Sequence, residues 1–381
     1  MGNQAHAISR RCSERRYFLV PCAFSEELVT YVLAAACESF PRVLLHAALF
    51  MSNHYQLVLT DQRTEAGQPS QLPAYFEFVD ALIAKAMNTY LGRGESFWAP
   101  GSYRNVEIHG EEALYDQLVY ALANPAAADL VETLSDWPGV YFGPERWGED
   151  VPTAKPPDAF FGGRRDGLVP SDPSEQRRRR DRVREHRARD LEAVYRELRE
   201  AGLSHEEARR AKAKRRKSRE RERARERDRS TLPEAPTLRL VPPPAFEGRE
   251  QEARERVAEL LVHREAEHRS RRRREKKSVL GAAAVLAQSP YESAGSTLAN
   301  YDFTPVIACK DRSQRRRVLK CYVGWERRYR EVRKGWPKRR DEEFPYGTHQ
   351  MVVQHGARVM SEATALSEGL IHAPTGPPAS A

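Results

Sequence analysis

The stretch that most constrains the fold is residues 43–60, where two apolar runs flank a short polar break at Met51-Ser52-Asn53. This pattern is typical of a β-hairpin whose second strand begins at about His54. Side chains two residues apart on a strand project from one face, about 6–7 Å apart along the strand. His54 and Gln56 therefore present two lone-pair donors together and could hold one ion. The alternative is a surface histidine and glutamine with no ligand.

The segments around this hairpin alternate between strand and helix patterns. Apolar periodicity and turn signals predict strands at 16–21 and 103–109, helices at about 25–39, 73–91 and 111–123, and a loose segment at 1–15. With the hairpin at 42–60, the order is β-α-β-β-α-β-α. This order predicts an α+β fold with a ferredoxin-like antiparallel sheet, followed by a charged, mostly helical C-terminal extension.

In such a sheet, the strand that begins at His54 should be central, between the first strand and its hairpin partner. The last helix of the predicted fold carries Tyr120 and Asn124, which lie four residues apart and so should share one face. Taken alone, Tyr120 could also be an aromatic residue that packs the helix against the sheet. His46 and His109 are expected to be structural or exposed.

Residues 51–59 (MSNHYQLVL) resemble the signature of the REP-associated tyrosine transposases, a family of the HUH single-strand DNA endonucleases. Further motifs follow in the family's order: Phe97-Trp98, Tyr120-Ala121-Leu122-Ala123-Asn124-Pro125 and Asp136-Trp137-Pro138. The resemblance covers roughly residues 10–142. It implies a transposase that cuts and rejoins DNA near hairpin repeats, with single-stranded DNA or DNA hairpins as partners.

The resemblance also implies roles for individual residues. In the family, two motif histidines and a polar residue four after the tyrosine hold a divalent metal, of the Mg²⁺ or Mn²⁺ kind. The tyrosine attacks a DNA phosphate and becomes joined to the 5′ phosphate. By position, His54, Gln56 and Asn124 are expected as metal ligands and Tyr120 as the nucleophile.

The chain departs from the family pattern at two places. Gln56 stands where the second histidine is expected, and an amide oxygen is a weaker donor than imidazole for softer ions. The family also tends to read Asn-Pro-Val-Arg-Ala-Gly where this chain has residues 124–129 (NPAAAD), so an arginine and a glycine are missing. One alternative is therefore a catalytically impaired, domesticated protein that holds DNA hairpins. Another, an RNA-binding module of RRM-like topology, is disfavoured because this domain is acidic.

The net charge of +9 is distributed unevenly. Residues 1–150 hold 10 Lys+Arg and 19 Asp+Glu, whereas residues 176–229 hold 23 and 12. Electrostatic attraction for phosphate is therefore expected mostly outside the region with the candidate active site. Arg315, Arg316, Arg317 and Trp325 lie in a basic amphipathic helix and are expected to contact DNA. The alternative is a helix that packs its aromatic residues on a small core.

The sequence predicts four regions: a transposase-like domain at 1–142, a Pro/Gly-rich linker at 143–175, an Arg/Glu-rich helical or disordered arm at 176–229, and a basic helical region at 230–381 that includes helices at about 247–277 and, buried, at 280–286. Five scattered cysteines without C-x-x-C, and no apolar run near ~18 residues, predict a soluble protein of the reducing cytoplasm that is not associated with a membrane. The resemblance implies a bacterial, nucleoid-associated protein. The sequence leaves monomer and dimer open.

Overall fold

The structure of the protein is a computed structural model. It describes residues 4–62, 70–152, 195–196, 199–200, 204–211, 213, 232–294, 306–336, 341–348, 351 and 355–371. The chain divides into two compact units, one formed by Met1–Met87, Ser96–Pro157 and Ala235–Ala381 and the other by Asn88–Glu95 and Asp158–Glu234. In the second unit, residues 205–211 of the predicted arm are helical. Most of that arm lies outside the described residues.

The first unit is built on one six-stranded sheet, with strands in the order β5-β2-β3-β1-β4-β8. All neighbours are antiparallel except β4 and β8, which are parallel. A separate two-stranded sheet pairs β6 with β7. The strands are β1 Gln4–Arg11, β2 Val43–Met51, β3 His54–Asp61, β4 Arg104–His109, β5 Tyr141–Phe142, β6 Asp150–Pro152, β7 Thr237–Arg239 and β8 Ile307–Cys309.

Helices cover the sheet and extend the unit beyond it. The α-helices are α1 Ala23–Ser39, α2 Leu72–Tyr90, α3 Glu111–Leu122, α4 Asn124–Ala127, α5 Glu250–Glu275, α6 Ala282–Leu286, α7 Arg312–Gly335 and α8 Glu362–Ser367. Short 3₁₀ helices lie at Ser13–Arg15, Leu134–Asp136, Pro144–Arg146 and Pro244–Phe246. Among the helices of the described residues, none combines the length and the hydrophobicity needed to cross a bilayer.

The predicted hairpin is confirmed, because β2 and β3 are joined by a two-residue turn at Ser52 and Asn53. Strand β3 lies between β2 and β1, as expected. Its residues from Tyr55 onward are buried, which explains the long apolar run in the sequence. The α+β class is confirmed in the sense of a mixed fold with a mostly antiparallel sheet.

The prediction for the first strand is wrong. Residues 16–21 form no strand: Arg16 makes an isolated β-bridge with Ser293, and Phe18 and Leu19 lie in a turn with their side chains buried in the core. The first strand is β1, in the segment predicted to be loose. Its small and polar side chains give no apolar alternation, and it forms a strand because it is paired on both sides, with β3 and β4.

The first ten residues of the predicted linker are also ordered. Trp147, which follows a 3₁₀ turn, is buried, and its indole N–H donates to the backbone oxygen of His46 at 2.8 Å. Residues 150–152 then form β6. The remainder of the predicted linker lies outside the described residues, and the division of the chain into four regions stays a prediction.

The C-terminal region completes the first unit rather than standing apart from it. Strand β8 pairs with β4, and α5 packs against α3 and α4. The predicted helices at 247–277 and in the basic segment are confirmed as α5 and α7. The predicted helix at 280–286 is formed as α6, but it is not buried as a whole, because only Val285 of α6 is buried.

Candidate active site

Tyr120 lies in the last turn of α3 with 57% of its surface exposed. The alternative in which it packs the helix against the sheet is therefore wrong. Another tyrosine of the same helix fills that role: Tyr115 is 9% exposed and stacks on Phe246 with ring centroids 4.6 Å apart. Of these two hydroxyl-bearing residues, Tyr120 is the one that a large substrate can reach.

A pocket of about 280 Å³ lies where α3 crosses the sheet, and all four predicted catalytic and metal residues line it. Strands β1, β3 and β4 form its floor, and the end of α3 with the start of α4 forms its wall. The polar and charged residues that line it are Ser9, Arg11, His54, Gln56, Arg104, Gln117, Tyr120 and Asn124. The sequence-predicted set is thus brought together, although its catalytic and metal-binding roles stay predictions.

His54 is the first residue of β3, directly opposite Arg11 of β1. Its Nδ1 donates to Oδ1 of Asn53 at 2.7 Å, so in the neutral ring Nε2 carries the lone pair. Burial, and secondly the charge of Arg11, lowers the pKa of His54 to about 4. The imidazole is therefore neutral at physiological pH, with Nε2 available as an acceptor.

Gln56 is 7% exposed, and its amide has no hydrogen-bond partner among the described residues. Although the residue is largely buried, Gln56 lines the pocket. Asn124, which begins α4 directly after the end of α3, also has no side-chain partner in the described part of the chain. Both amides are therefore available to a ligand in the pocket.

The loop after Asn124 keeps the backbone form that a glycine would favour. Asp129 stands where the family has glycine, and it still adopts a left-handed conformation with φ of 57°. Its carboxylate pairs with Arg271 of α5, and the same arginine donates to the backbone oxygen of Ala127 at 3.0 Å. The cost of an αL aspartate, about 1–2 kcal/mol, is thus offset by an ion pair from a distant helix.

Arg272 of α5 holds the same loop. It is 2% exposed, donates to the backbone oxygen of Ala126 at 2.9 Å and pairs with Glu132 at 2.6 Å. The loop is therefore held by two arginines of α5. Because their charges are already matched by Asp129 and Glu132, these arginines anchor the loop and are not placed to bind phosphate.

Sequence reasoning missed Arg11 and Arg104, which also line the pocket. Arg11 ends a strand that the sequence did not predict, and Arg104 begins β4 on the other side of it. A third arginine, Arg15, lies in the turn after β1. Burial, followed by the charges of Arg15 and Arg104, lowers the pKa of Arg11, which indicates that the three are close.

The turn that carries Arg15 is strained. Glu14 and Arg15 both have φ of 54°, a conformation that costs an ordinary residue about 1–2 kcal/mol. Hydrogen bonds hold the turn in place, from the amide of Ser13 to the oxygen of Phe97 at 2.8 Å and from the side chain of Asn53 to the oxygen of Arg15 at 3.4 Å. Strain of this kind concentrates at functional sites.

The donors in the pocket do not fit a divalent cation. Mg²⁺ and Mn²⁺ favour carboxylates, whereas this pocket offers one imidazole, three amides, one serine hydroxyl and two arginines. Across the described residues there is no group of three or more His, Cys, Asp or Glu side chains that could hold a metal. The metal ligand roles of His54, Gln56 and Asn124 stay a prediction. The positive charge of the pocket disfavours a bound cation.

The four predicted DNA-contacting residues lie on α7. Arg315, Arg316 and Arg317 are exposed. Trp325 stacks on Tyr329, with centroids 5.4 Å apart, and its indole N–H donates to the oxygen of Tyr346 at 2.8 Å. The aromatic side of α7 therefore packs on a small core, as the alternative proposed, while its ten Lys+Arg against two Asp+Glu make the exposed side strongly basic.

Two further histidines, which the sequence predicts to be structural or exposed, are buried. His46 uses both ring nitrogens, with the oxygen of Val241 and Oγ1 of Thr60 each at 2.8 Å, and burial lowers its pKa to about 4. His109 lies 3.3 Å from Oε2 of Glu107. Neither lines the Tyr120 pocket, as expected.

No protein-family model matches the chain, and no curated protein matches it. Among solved structures, the chain is similar to a REP-associated tyrosine transposase bound to a REP hairpin. The two are 14% identical, the match covers 36% of this chain and 76% of that one, and the TM-score is 0.31. A likeness of this degree assigns no role to any residue here.

Proposed function

We propose that this protein is a single-stranded DNA transposase of the REP-associated tyrosine transposase type, which cuts and rejoins DNA near hairpins through Tyr120. The observation that carries the proposal is the pocket itself. It combines an exposed tyrosine hydroxyl with His54, the buried and unpartnered Gln56 amide, and Asn124. We also propose that the part of the sheet ordered β2-β3-β1-β4 is ferredoxin-like.

The proposed reaction exchanges one phosphoester for another. The Tyr120 oxygen attacks a DNA phosphorus, the new O–P bond forms, and the bond from phosphorus to the 3′ oxygen breaks. The phenolic proton is lost, the departing 3′ oxygen gains a proton, and the 5′ phosphate stays on the tyrosine. Attack by a 3′-hydroxyl on this phosphotyrosine rejoins a strand and restores Tyr120, so no energy source is consumed.

The pocket must supply what a phenol lacks at neutral pH. A tyrosine hydroxyl is a weak nucleophile, so the phosphate has to be held in place and its charge offset. Neutral His54 offers Nε2 as an acceptor near the hydroxyl, and the Gln56 and Asn124 amides offer N–H donors to phosphate oxygens.

A second candidate is a protein that binds DNA hairpins without cutting them. The observation in its favour is the poor match between the pocket donors and a divalent cation. In that case Tyr120 would contact the phosphate without attacking it, and the basic face of α7 would contribute charge to binding.

A covalent-adduct assay separates the two candidates. The full chain is incubated with hairpin-bearing single-stranded DNA, with Mn²⁺ or with EDTA, and protein–DNA adducts are sought on denaturing gels. The transposase predicts an adduct that is lost in Tyr120→Phe and kept in the matched control Tyr115→Phe. Tight hairpin binding by all three proteins with no adduct favours the binding-only candidate. Absence of hairpin binding contradicts both.

A further inference from the structure

Two arginines line the Tyr120 pocket, and the charge of a third acts on one of them. Arg11 and Arg104 line it, and Arg15 lies in the strained turn next to Arg11. In the described chain, none of the three has a carboxylate within ion-pair distance. Their neighbours differ in this respect, because Arg10 pairs with Asp80 and Arg16 pairs with Glu14 at 2.7 Å.

This arrangement places like charges together without a counter-charge. Arg11 and Arg104 line the same pocket, and the charges of Arg15 and Arg104 add to burial in lowering the pKa of Arg11, so Arg11 is repelled by two like charges. Arginine stays protonated in proteins, so the cluster cannot relieve this repulsion by losing a proton. An anion bound among the three would relieve it.

The neighbouring groups suit an oxyanion as well. Arginine presents a planar fork of N–H donors that matches phosphate oxygens in pairs. The Gln56 amide, 7% exposed and without a partner among the described residues, adds a buried N–H₂ donor that faces the same pocket. The donor set that does not fit a divalent cation therefore fits a phosphate.

We propose that Arg11, Arg15 and Arg104 bind a phosphate of the DNA backbone and hold it against Tyr120, so that guanidinium charge takes the place expected of a metal ion. The proposal rests on the proposed function for the identity of the ligand as a phosphodiester. It assigns the three arginines as phosphate-binding residues and Gln56 as a further N–H donor to the same group.

Binding in the absence of chemistry tests this assignment. Every protein carries Tyr120→Phe, so no covalent link forms, and EDTA removes divalent ions. The probes are a hairpin-bearing oligonucleotide, measured by fluorescence anisotropy, and inorganic phosphate, measured as its competitor. The test variant is Arg11→Gln with Arg104→Gln. The matched control, Arg239→Gln with Arg256→Gln, removes two exposed arginines of other surfaces.

The expected result is at least a tenfold loss of oligonucleotide affinity in the test variant and less than a twofold loss in the control. The salt dependence of binding should become shallower only in the test variant. Phosphate should compete weakly with the oligonucleotide in the parent protein and lose this effect in the test variant. The variant Arg11→Lys with Arg104→Lys keeps both charges but loses the paired N–H donors of the guanidinium groups, so its oligonucleotide affinity should lie between those of the parent protein and the Gln variant. If the Gln variant does not fold, the Lys variant takes its place in the test.

Equal losses in the test and control variants would overturn the assignment, as would binding that requires Mn²⁺. Phosphate that competes equally well in parent and test variant would also overturn it. The adduct assay keeps the two proposals apart. An adduct that forms as well with Arg11→Gln and Arg104→Gln contradicts the arginine site and leaves the transposase standing. A tenfold loss of affinity without any adduct in the natural protein supports the arginine site and contradicts the transposase.

Discussion

One face of the sheet lies beneath α3, and each end of this face carries a histidine and a tyrosine. The environment of the pair differs between the two ends. At one end His46 and Tyr115 are buried. Trp147 donates to the backbone oxygen of His46, and Phe246 stacks on Tyr115. At the other, His54 and Tyr120 border a pocket. The two tyrosines lie five residues apart, about 7.5 Å along the helix. The same pair of residue types is therefore structural where other side chains bury it and available to a substrate where it borders a pocket.

The histidine of the covered end is fully hydrogen-bonded. Both ring nitrogens of His46 are hydrogen-bonded, one of them to Thr60, which shares the sheet face of His54 and Gln56 because they alternate along β3. At the open end Gln56 and Asn124 have no side-chain partners within the described residues. A ligand in the pocket could therefore pair with these two amides.

The largest expected effect distinguishes the two ends by stability. Trp147→Ala should destabilise the protein by about 3–5 kcal/mol, because it removes a buried aromatic ring and the hydrogen bond to His46. Tyr120→Ala should change stability by no more than about 0.5 kcal/mol, since the ring is exposed. Urea unfolding measures both. A Tyr120→Ala variant as unstable as Trp147→Ala would contradict the distinction.

The second effect is the pH dependence of the covered end. The pKa of His46 is about 4 in the folded chain and near 6.5 when unfolded. The unfolded chain therefore binds more protons between these values, so stability from this group is full above pH 6.5 and is lost as pH falls toward 4, by up to about 3 kcal/mol. His46→Gln should flatten the fall in unfolding free energy over this window. An unchanged slope would show that His46 does not titrate in this way.

The open end should also respond to metal. Gln56→His replaces an amide with an imidazole on the face shared with His54, which should raise Mn²⁺ affinity about tenfold, or about 1.4 kcal/mol, with stability little changed. Titration calorimetry measures the affinity, and Gln56→Asn is the control. If EDTA does not reduce adduct formation by the natural protein, while Mn²⁺ increases adduct formation by Gln56→His, arginine charge and metal charge are interchangeable in this pocket. An inert Gln56→His protein that still binds hairpins would instead favour the binding-only candidate.

The smallest effect concerns a surface distant in sequence from both ends. Replacing Arg315, Arg316 and Arg317 with glutamine should weaken DNA binding about two- to tenfold and reduce the salt dependence, with the fold intact because all three are exposed. Substitution is preferable to truncation near residue 150, because truncation would remove β8 and α5 from the first unit. Unaltered affinity and salt dependence would show that α7 is not part of the DNA-binding surface.

The sequence predicts those parts of the fold whose signal is local. Long apolar runs predict the hairpin, and helical periodicity predicts the helices. Strands β2 and β3 and helices α2 and α3 lie within a few residues of the expected positions. Tyr120 and Asn124 could be placed together because their spacing is that of one helical turn. The four candidate site residues therefore share a pocket, as the sequence indicates.

The parts that the sequence could not predict depend on pairing between distant segments. Strand β1 has no apolar pattern and exists because β3 and β4 pair with it, so Arg11 was not recognised as the neighbour of His54. The buried Arg272 lies in a run of charges that is typical of a solvated helix, and only the folded chain shows Glu132 beside it. Both failures concern charged residues whose partners lie far away in the chain.

The central claim is that the open end of this face holds a DNA phosphate against Tyr120 and joins the strand to it. The most direct measurement is mass spectrometry of the protein after incubation with hairpin DNA in EDTA, followed by nuclease and protease digestion. The account predicts a nucleotide-linked tyrosine at Tyr120, with Tyr103 and Tyr115 unmodified. A link at another tyrosine, or no link despite tight hairpin binding, would contradict it.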